Sequence, residues 1–159
     1  KKKALILETL RSDHDALRRA SAAFLVGHFI DPHEILQVLS PYVTDSNAMV
    51  RNNVMRVIGE TQLKTKLAVD DVSPFCALLD SPETTDRNKA LMVLLGAAES
   101  PAARRQIIKQ ASFKLLALMR LQQPNNHDWA YHILQKVSGK DFGPTNIAAW
   151  RLWVQSEKA

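Results

Sequence analysis

The stretch DSNAMVRNNVMRVIGE, from Asp45 to Glu60, decides the fold because related copies of it occur before and after it in the chain. Asp45 and Ser46 precede the apolar part and can accept hydrogen bonds from the first-turn amides of a helix, and Gly59 is expected to end that helix. Apolar residues recur at the i, i+4, i+7, i+8 spacing of a packed amphipathic helix, at Met49 or Val50, Val54, Val57 and Ile58. The stretch therefore predicts one helix with its own start and stop.

Length and composition bound the remaining possibilities. The chain has 159 residues, 46% of them apolar, which is enough for one domain with an ordinary hydrophobic core. The single cysteine, Cys76, lies among apolar neighbours and is expected to be a small buried hydrophobe rather than a reactive thiol. No apolar run approaches the roughly 18 residues of a membrane span, so no membrane insertion is expected. The first residue is not Met, which leaves open a trimmed chain or the mature part of an exported protein.

The net charge of +5 is unevenly distributed. No acidic residue lies between Glu99 and Asp128, and that segment carries five basic residues. On a helix, Arg105, Lys109 and Arg120 would share a narrow sector, which predicts a basic patch for an acidic protein or a phosphate. A solvated helix face whose Lys and Arg methylenes cover the edge of the core is the alternative.

The apolar spacing is helical throughout, glycine is scarce, and proline lies mostly at element edges, so the sequence predicts an all-α protein. A turn is expected at residues 124–126. The predicted helices cover residues 2–11, 15–29, 31–43, 45–60, 70–79, 82–98, 101–121, 127–138 and 146–156. In the first two helices, Leu5, Leu17 and Leu25 are expected to face the core.

Four glycines define a repeat register. Gly27, Gly59, Gly96 and Gly139 are each expected to close a helix, at separations of 32, 37 and 43 residues. The interval of 6 residues from Asp45 to Arg51 recurs from Asp13 to Arg19. A similar interval, of 7 residues, separates Asp80 from Arg87. Periods of this size between short helix pairs are typical of an α-solenoid.

The copies DSNAMVRNNVMRVIGE and DHDALRRASAAFLVG (residues 13–27) resemble the HEAT-repeat family. The resemblance implies a right-handed α-solenoid of antiparallel helix pairs in a single domain, 1–159. It has about four repeats, at residues 1–30, 31–61, 62–99 and 100–140. In the family the Asp and Arg tie loops to helices, which implies structural roles for Asp45 and Arg51, and for Asp13 and Arg19.

The tail GKDFGPTNIAAWRLWV, residues 139–154, resembles the closing segment of bacterial HEAT-like proteins. Gly139 and Gly143 permit the positive φ angles of a tight reversal. Trp150 and Trp153 share one apolar helix face, which predicts a structural cap at residues 141–159 over the last repeat. An aromatic ligand or partner site is the alternative reading of the two tryptophans.

No catalytic constellation is present. The sequence has no HExxH, Walker loop, GxSxG, paired CxxC or dinucleotide-binding fingerprint, so it predicts no enzyme activity and no cofactor. His28 and His33 flank Asp31-Pro32, but two histidines without a third ligand favour a solvated loop over a metal site.

The repeat register gives the candidate binding residues. In HEAT-like arrays the second helix of each pair lines the concave surface. The glycine register aligns Arg56 with Phe24 and Glu60 with His28, so these positions should share a face. The candidate partner-binding residues are Asn52, Arg56, Lys89, His132 and Lys136, with an unoccupied solvated face as the alternative.

Three functions follow from these observations. The first is a noncatalytic scaffold that binds a protein or peptide, including an acidic one, on its concave face. The second is nucleic-acid binding, with the HEAT-like alkylpurine DNA glycosylases as its enzymatic extreme. A lyase like the HEAT-like bilin-attachment proteins rests on fold analogy alone.

Overall fold

The computed structural model describes residues 1–159 and is helical throughout. It contains nine α-helices and one 3-10 helix, Ser40–Thr44, and it has no strand, so the all-α prediction is confirmed. The α-helices are α1 (Lys2–Ser12), α2 (Ala16–Val26), α3 (Pro32–Leu39), α4 (Ala48–Thr65), α5 (Ser73–Leu78), α6 (Thr84–Ala97), α7 (Pro101–Met119), α8 (Pro124–Ser138) and α9 (Ile147–Lys158).

The chain divides into two compact units. Unit 1 is Lys1–Val69 and unit 2 is Asp70–Ala159, and each has its own buried apolar core. The sequence predicts a single domain, 1–159, whereas the division between the two units falls inside the predicted third repeat, 62–99. Burial of apolar side chains within each unit is the main favourable contribution to folding.

Unit 1 is built from two helix pairs. Helix α1 packs on α2, α3 packs on α4, and α2 in turn packs along α4. Helices α2 and α4 approach closely because Gly27 has no side chain: a Cβ at that position would lie 3.0 Å from Cγ1 of Val57. The fully buried apolar residues on this contact include Ala20, Ala23, Val50 and Val54.

Unit 2 repeats this arrangement and adds a closing helix. Helix α5 packs on α6, α7 packs on α8, and α6 packs along α8. Helix α9 packs on α7, and its residues Trp150, Trp153 and Val154 are all buried. The core of unit 2 is therefore covered by the aromatic helix at the end of the chain.

The predicted role of Gly59 is wrong. Helix α4 continues for six residues past it to Thr65, and Gly59 is buried within the helix. The buried residues of the last two turns include Thr61 and Gln62, whose Oε1 accepts a hydrogen bond from the Val69 amide at 3.0 Å. Tertiary packing therefore outweighs the low helix propensity of glycine. The left-handed residue that ends α4 is Lys66, with φ 61°.

Gly96 also lies inside a helix, because α6 ends at Ala97. The other two predicted terminal glycines do end helices: Gly27 caps α2 and Gly139 caps α8. Two of the four glycines thus mark helix ends. The Gly27–Gly59 interval of 32 residues equals the interval from Arg19 to Arg51, but Gly59 and Gly96 lie inside helices and do not mark where repeats end. The predicted boundary between residues 61 and 62 consequently runs through α4.

Arginine gives a better register. Nη1 of Arg19, Arg51 and Arg87 each donates a hydrogen bond to the backbone carbonyl six residues earlier, at 2.9, 2.8 and 2.8 Å. For Arg87 this carbonyl belongs to Ser81, so the proposed interval from Asp80 to Arg87 is wrong by one residue. Asp80 instead forms an ion pair with Lys114 at 2.6 Å.

Helix starts differ from the sequence expectation in two places. The residue that caps α4 is Asn47, whose side chain accepts from the amides of Met49 and Val50, rather than Asp45 or Ser46. The predicted turn at residues 124–126 is the first turn of α8, which begins with Pro124. Proline fits there because the first helical position needs no amide donor.

Three leucines expected to face the core are exposed. Leu5 on α1 and Leu17 and Leu25 on α2 all retain more than a third of their surface in contact with solvent. The side of α2 that packs on α4 consists mainly of small residues instead, among them Ala20, Ala23 and Gly27.

Candidate functional site

A candidate site in unit 1 is an open cleft of about 360 Å³, here called the α2–α4 cleft. The end of α2, the loop that follows it, the start of α3 and the second half of α4 form its walls. Aromatic, aliphatic and charged side chains all contribute to the lining, which includes Phe24, His28, Ile30, Val57, Glu60 and Lys64.

Two rings on α2 form the aromatic wall of the cleft. Phe24 and His28 are one helical turn apart, and their ring centroids lie 5.6 Å from each other in an edge-to-face arrangement. About half of the Phe24 surface is exposed, and Ile30 at the cleft rim is fully exposed. A large apolar side chain left in water at such a site favours contact with an apolar group of a partner.

The opposite wall carries charge. Glu60 and Lys64 are exposed on successive turns of α4, and Arg56 lies one turn before Glu60 on the same helix. None of these three side chains has an ion-pair partner within unit 1, so their charges remain available to a ligand. The cleft therefore presents a hydrophobic surface beside both positive and negative groups.

The sequence register and the cleft agree in part. The repeat register aligns Glu60 with His28 and Arg56 with Phe24. Of these four residues, Glu60, His28 and Phe24 line the α2–α4 cleft. Asn52 and Arg56 lie farther towards the start of α4 and do not line it. They occupy the solvent-facing side of α4, with Arg56 exposed and Asn52 half-buried.

The other three candidate binding residues belong to unit 2. Lys89 is half-buried on α6, and His132 is exposed on α8 with Nδ1 3.0 Å from Oε1 of Gln135. Lys136 on α8 forms an ion pair with Glu99. An ion pair must be broken before Lys136 can bind a partner, which makes it a weaker candidate than Arg56.

The predicted structural pair takes part in a contact between α2 and the loop before α4. Nε and Nη2 of Arg19 donate to Oδ2 and Oδ1 of Asp45 at 3.2 and 3.1 Å. Asp45 also accepts the amide hydrogen of Asn47 at 2.9 Å. Arg51, the other residue given a structural role with Asp45, donates to the Asp45 backbone carbonyl. Arg19 is thus the bidentate partner of the Asp45 carboxylate.

The environment of Asp45 alters its acidity. Burial alone would raise the pKa of the Asp45 carboxyl, but the hydrogen bonds from Arg19 and the Asn47 amide outweigh burial. The charges of Arg19 and Arg51 act in the same direction, so the pKa of Asp45 lies below its ordinary value. The carboxylate is consequently charged throughout the neutral range and holds the α2–α4 contact electrostatically.

A similar contact occurs in unit 2 with an uncharged partner. Nε of Arg87 donates to Oδ1 of Asn126 at 3.4 Å, and Asn126 is completely buried. Its amide also donates to Oε1 of Gln123 at 2.9 Å. Asn126 is the side-chain acceptor for Arg87 in unit 2, as Asp45 is for Arg19 in unit 1. Unit 2 therefore keeps this contact without the negative charge.

The predicted basic patch is divided by the structure. Arg105 and Lys109 are exposed on successive turns of α7 and line an open cleft of about 520 Å³ with Ile108, Glu157 and Lys158. Arg120 lies at the other end of α7, about 16 Å along the helix from Lys109. The structure adds Lys158 of α9, whose Nζ donates to the Lys109 carbonyl at 2.9 Å. Lys158 could not be placed there from the sequence, because no local pattern relates α9 to α7.

The two tryptophans of the predicted cap are buried in unit 2. Trp150 has no exposed surface, and its Nε1 donates to the Gly143 carbonyl at 2.8 Å. Phe142 lies edge-to-face on Trp150 with a centroid separation of 4.8 Å. The expected positive φ angles are confirmed, at 67° for Gly139 and 90° for Gly143.

Cys76 is buried in unit 2, as expected. Burial raises the pKa of its thiol to about 11, although the positive charge of Lys114 acts to lower it. The Lys114 ammonium donates to the Cys76 carbonyl at 3.2 Å. No group of three or more His, Cys, Asp or Glu side chains is placed to hold a metal ion.

The native protein is expected to resist thiol reagents. With a pKa of about 11, the Cys76 thiol is about 0.1% ionised at pH 8, and the buried sulfur is also shielded from the reagent. Ellman's reagent should release no thionitrobenzoate within minutes from the folded protein, and one equivalent after denaturation in guanidinium. Stoichiometric release from the folded protein at the rate of a free thiol would contradict this expectation.

Comparison with known proteins supports the fold alone. No family model matches the chain, and no curated protein matches it. A solved crystal structure, of an engineered protein from the Northeast Structural Genomics Consortium, is similar, with a TM-score of 0.74 over 98% of this chain and 68% of that chain. The sequence identity is 14%, so the similarity extends to the helical fold and no further. None of the helices is both long enough and apolar enough to cross a membrane.

Proposed function

We propose that the protein is a noncatalytic binding module of the HEAT-like α-solenoid type, which holds a peptide or protein segment on the surface formed by α2 and α4, the second helices of the two pairs in unit 1. The observation that carries this proposal is the α2–α4 cleft, with Phe24 and Ile30 exposed beside the unpaired charges of Glu60 and Lys64. Apolar contact supplies affinity, and the charged groups select the orientation of the ligand. The repeated arginine contacts and the packing of pair on pair within each unit support the solenoid reading.

The ligand expected for this cleft is a short segment with an apolar anchor. An aromatic or branched aliphatic side chain would pack against Phe24 and Ile30, since both have apolar surface to lose. Flanking charges of both signs would pair with Lys64 and Glu60. Arg56, next along α4, would contact an acidic residue of a longer ligand.

The proposal is tested with peptides selected from a random phage-displayed library on the immobilised protein. Phe24→Ala is expected to weaken the selected peptides by about tenfold, which corresponds to about 1.4 kcal/mol of lost apolar contact. Fluorescence polarisation of labelled peptides measures the change. Phe24 is half-exposed, so the thermal melt should shift little.

Phe113→Ala is the matched control. Phe113 on α7 in unit 2 is exposed to 48%, against 52% for Phe24, and should leave peptide affinity unchanged. Arg56→Glu should weaken acidic peptides and spare neutral ones. Failure to enrich any peptide, or enriched peptides that bind the Phe24→Ala protein as tightly, would refute the proposed site.

Nucleic-acid binding is the second candidate. It is favoured by the cleft between α7 and α9, where three cations, Arg105, Lys109 and Lys158, outnumber the one carboxylate, Glu157. Three phosphate contacts would give a salt dependence with a slope of about −3 on a log–log plot. Measuring the affinity of a labelled duplex at several salt concentrations tests whether this cleft binds nucleic acid. An absence of binding at low salt would end this proposal.

A further inference from the structure

We infer that the α2–α4 cleft recognises a basic side chain, a lysine or arginine of the bound segment, through the Glu60 carboxylate and the aromatic wall formed by Phe24 and His28. This inference rests on the proposed function and names the residue of the ligand that the charged wall selects. Glu60 is the one carboxylate that lines the cleft. It is exposed, and no cation of unit 1 forms an ion pair with it.

The carboxyl ends of two helices add negative charge to the cleft. Helices α2 and α4 run in the same direction, since Arg19 near the start of α2 pairs with Asp45 before α4, and Gly27 after α2 lies against Val57 of α4. Gly27 at the end of α2 and Thr65 at the end of α4 both line the cleft. The carboxyl end of a helix carries about half a unit of negative charge, so both ends favour a cation there.

Positive groups around the cleft do not outweigh these negative ones. Lys64 lies in the last turn of α4, where its charge is partly offset by the carboxyl end of that helix. The positive end of α3, which lines the cleft at Pro32, is capped by Asp31 and has Glu34 in its first turn. The charges around the cleft therefore sum to a negative value, which favours a cationic group of the ligand over an anionic one.

An ammonium group of the protein itself shows the binding mode on a neighbouring ring. Nζ of Lys3 lies 5.1 Å from the centroid of the Phe29 ring and 2.5 Å from Oε1 of Glu34. A cation held between an aromatic ring and a carboxylate is stabilised by both contacts. Phe29 lines the same cleft as Phe24 and Glu60. The exposed rings and the unpaired carboxylate of the cleft supply the same two kinds of group, and this second site is open to a ligand.

The spacing of these groups suits a long side chain. Because Gly27 is level with Val57, Glu60 lies about 4.5 Å farther along the helix axes, on the opposite wall from His28. Phe24 lies one turn before His28 on α2. The methylenes of a lysine or arginine can therefore cover the Phe24 ring while the charged end passes His28 and reaches Glu60.

Peptides enriched from the random library on the immobilised full chain are the probes. They are expected to carry a lysine or arginine close to the apolar anchor. Replacing this residue with norleucine keeps an apolar stem but removes the charge, and it should weaken binding at least about tenfold in fluorescence polarisation. Glu60→Gln should weaken the basic peptide by the same factor and leave the norleucine peptide unchanged, because both changes remove one contact. Glu60 is exposed, so the circular dichroism melt of the variant should match that of the wild type.

Glu8→Gln is the matched control. Glu8 is another exposed glutamate of unit 1, on α1, and it does not line the cleft. This variant should leave the affinity for the basic peptide unchanged. Lys64→Gln removes a like charge from the cleft, so it should bind the basic peptide at least as tightly as the wild type does.

The outcomes separate this inference from the proposed function. Enriched peptides that lack a basic residue, yet lose affinity for Phe24→Ala, would overturn the inference and leave the proposed function intact. Acidic peptides that Lys64→Gln no longer binds would overturn it in favour of an anionic ligand, and equal losses in Glu60→Gln and Glu8→Gln would remove Glu60 from the site. If sedimentation velocity shows a dimer that Glu60→Gln dissolves, the basic residue belongs to a second copy and the inference is wrong. Failure to enrich any peptide would refute the proposed function and this inference with it.

Discussion

Trp150→Ala is expected to lower the free energy of unfolding of unit 2 by about 4 kcal/mol, because removing a fully buried aromatic side chain leaves a large cavity. Trp150 is the largest side chain in the protein without exposed surface. It is in contact with the rings of Tyr131, Phe142 and Trp153 at centroid separations of 6.2, 4.8 and 6.2 Å. These contacts are lost together when the indole is removed.

The hydrogen bond of Trp150 adds to this cost. Its Nε1 donates to the Gly143 carbonyl at 2.8 Å, in a turn where Gly143 has a φ of 90° and Asp141 accepts the Gly143 amide at 2.9 Å. Trp150→Phe keeps most of the ring contacts but removes the donor. It should cost about 1–2 kcal/mol, and the difference between the two variants separates packing from hydrogen bonding.

Guanidinium denaturation followed by tryptophan fluorescence measures the effect. All three tryptophans, Trp129, Trp150 and Trp153, belong to unit 2, so the remaining two still report on that unit in Trp150→Ala. Leu152→Ala is the control on the same helix, since Leu152 is exposed and should cost less than about 0.5 kcal/mol. A loss below about 1 kcal/mol in Trp150→Ala would show that Trp150 is not a packing residue.

Helical periodicity predicted most of the fold. The nine predicted helices all exist, and the apolar positions Val50, Val54, Val57 and Ile58 of the opening stretch are all buried. These features depend on local spacing, which the sequence displays directly. The burial of Cys76 and the positive φ angles of Gly139 and Gly143 are also local properties and were predicted correctly.

Features that depend on contacts between helices were harder to predict. The low helix propensity of glycine predicts that a helix ends at Gly59, yet α4 continues because its last turns are packed in unit 1. Leu17 and Leu25 read as core residues, yet the side of α2 that meets α4 consists of alanine and glycine. Close approach of two backbones selects small residues, and a pattern based on hydrophobicity underestimates them.

The candidate site shows the same difference between local features, which the sequence predicts, and contacts between elements, which it predicts poorly. The repeat register placed Phe24, His28 and Glu60 on one face, in two neighbouring columns, and the three residues do line one cleft. Ile30 was missed because it belongs to a loop, although a large exposed aliphatic residue directly before Asp31-Pro32 was a usable signal. Arg120 was grouped with Lys109 by angle alone, which ignores their separation along the helix axis.

Asp45→Asn is expected to lower the free energy of unfolding by about 3 kcal/mol at neutral pH, because it leaves Arg19 without its bidentate carboxylate partner. The two side chains are mostly buried, with 15% of Arg19 and 11% of Asp45 exposed. Water therefore compensates Arg19 poorly when the negative charge is removed. Equilibrium urea denaturation followed by circular dichroism measures the loss.

Asp13→Asn is the matched control for this substitution. Asp13 occupies the equivalent position in the preceding copy and accepts the amide of Asp15 at 2.9 Å, as Asp45 accepts that of Asn47. Its ion-pair partner is the exposed Arg18, at 3.7 Å, so the loss should be below about 1 kcal/mol. Equal losses in the two variants would show that the amide contact, and not Arg19, gives Asp45 its importance.

The dependence on pH follows from the lowered pKa of Asp45. A carboxyl whose pKa is lower in the folded state than in the unfolded state contributes stability that is complete above its unfolded pKa of about 3.9. That contribution is lost as the pH falls through the lower pKa of the folded state. The difference in stability between wild type and Asp45→Asn should therefore be constant from neutral pH down to about pH 5, and shrink below about pH 4. A difference independent of pH down to the acid transition would mean that shape, rather than the charge of Asp45, holds the loop before α4 against α2.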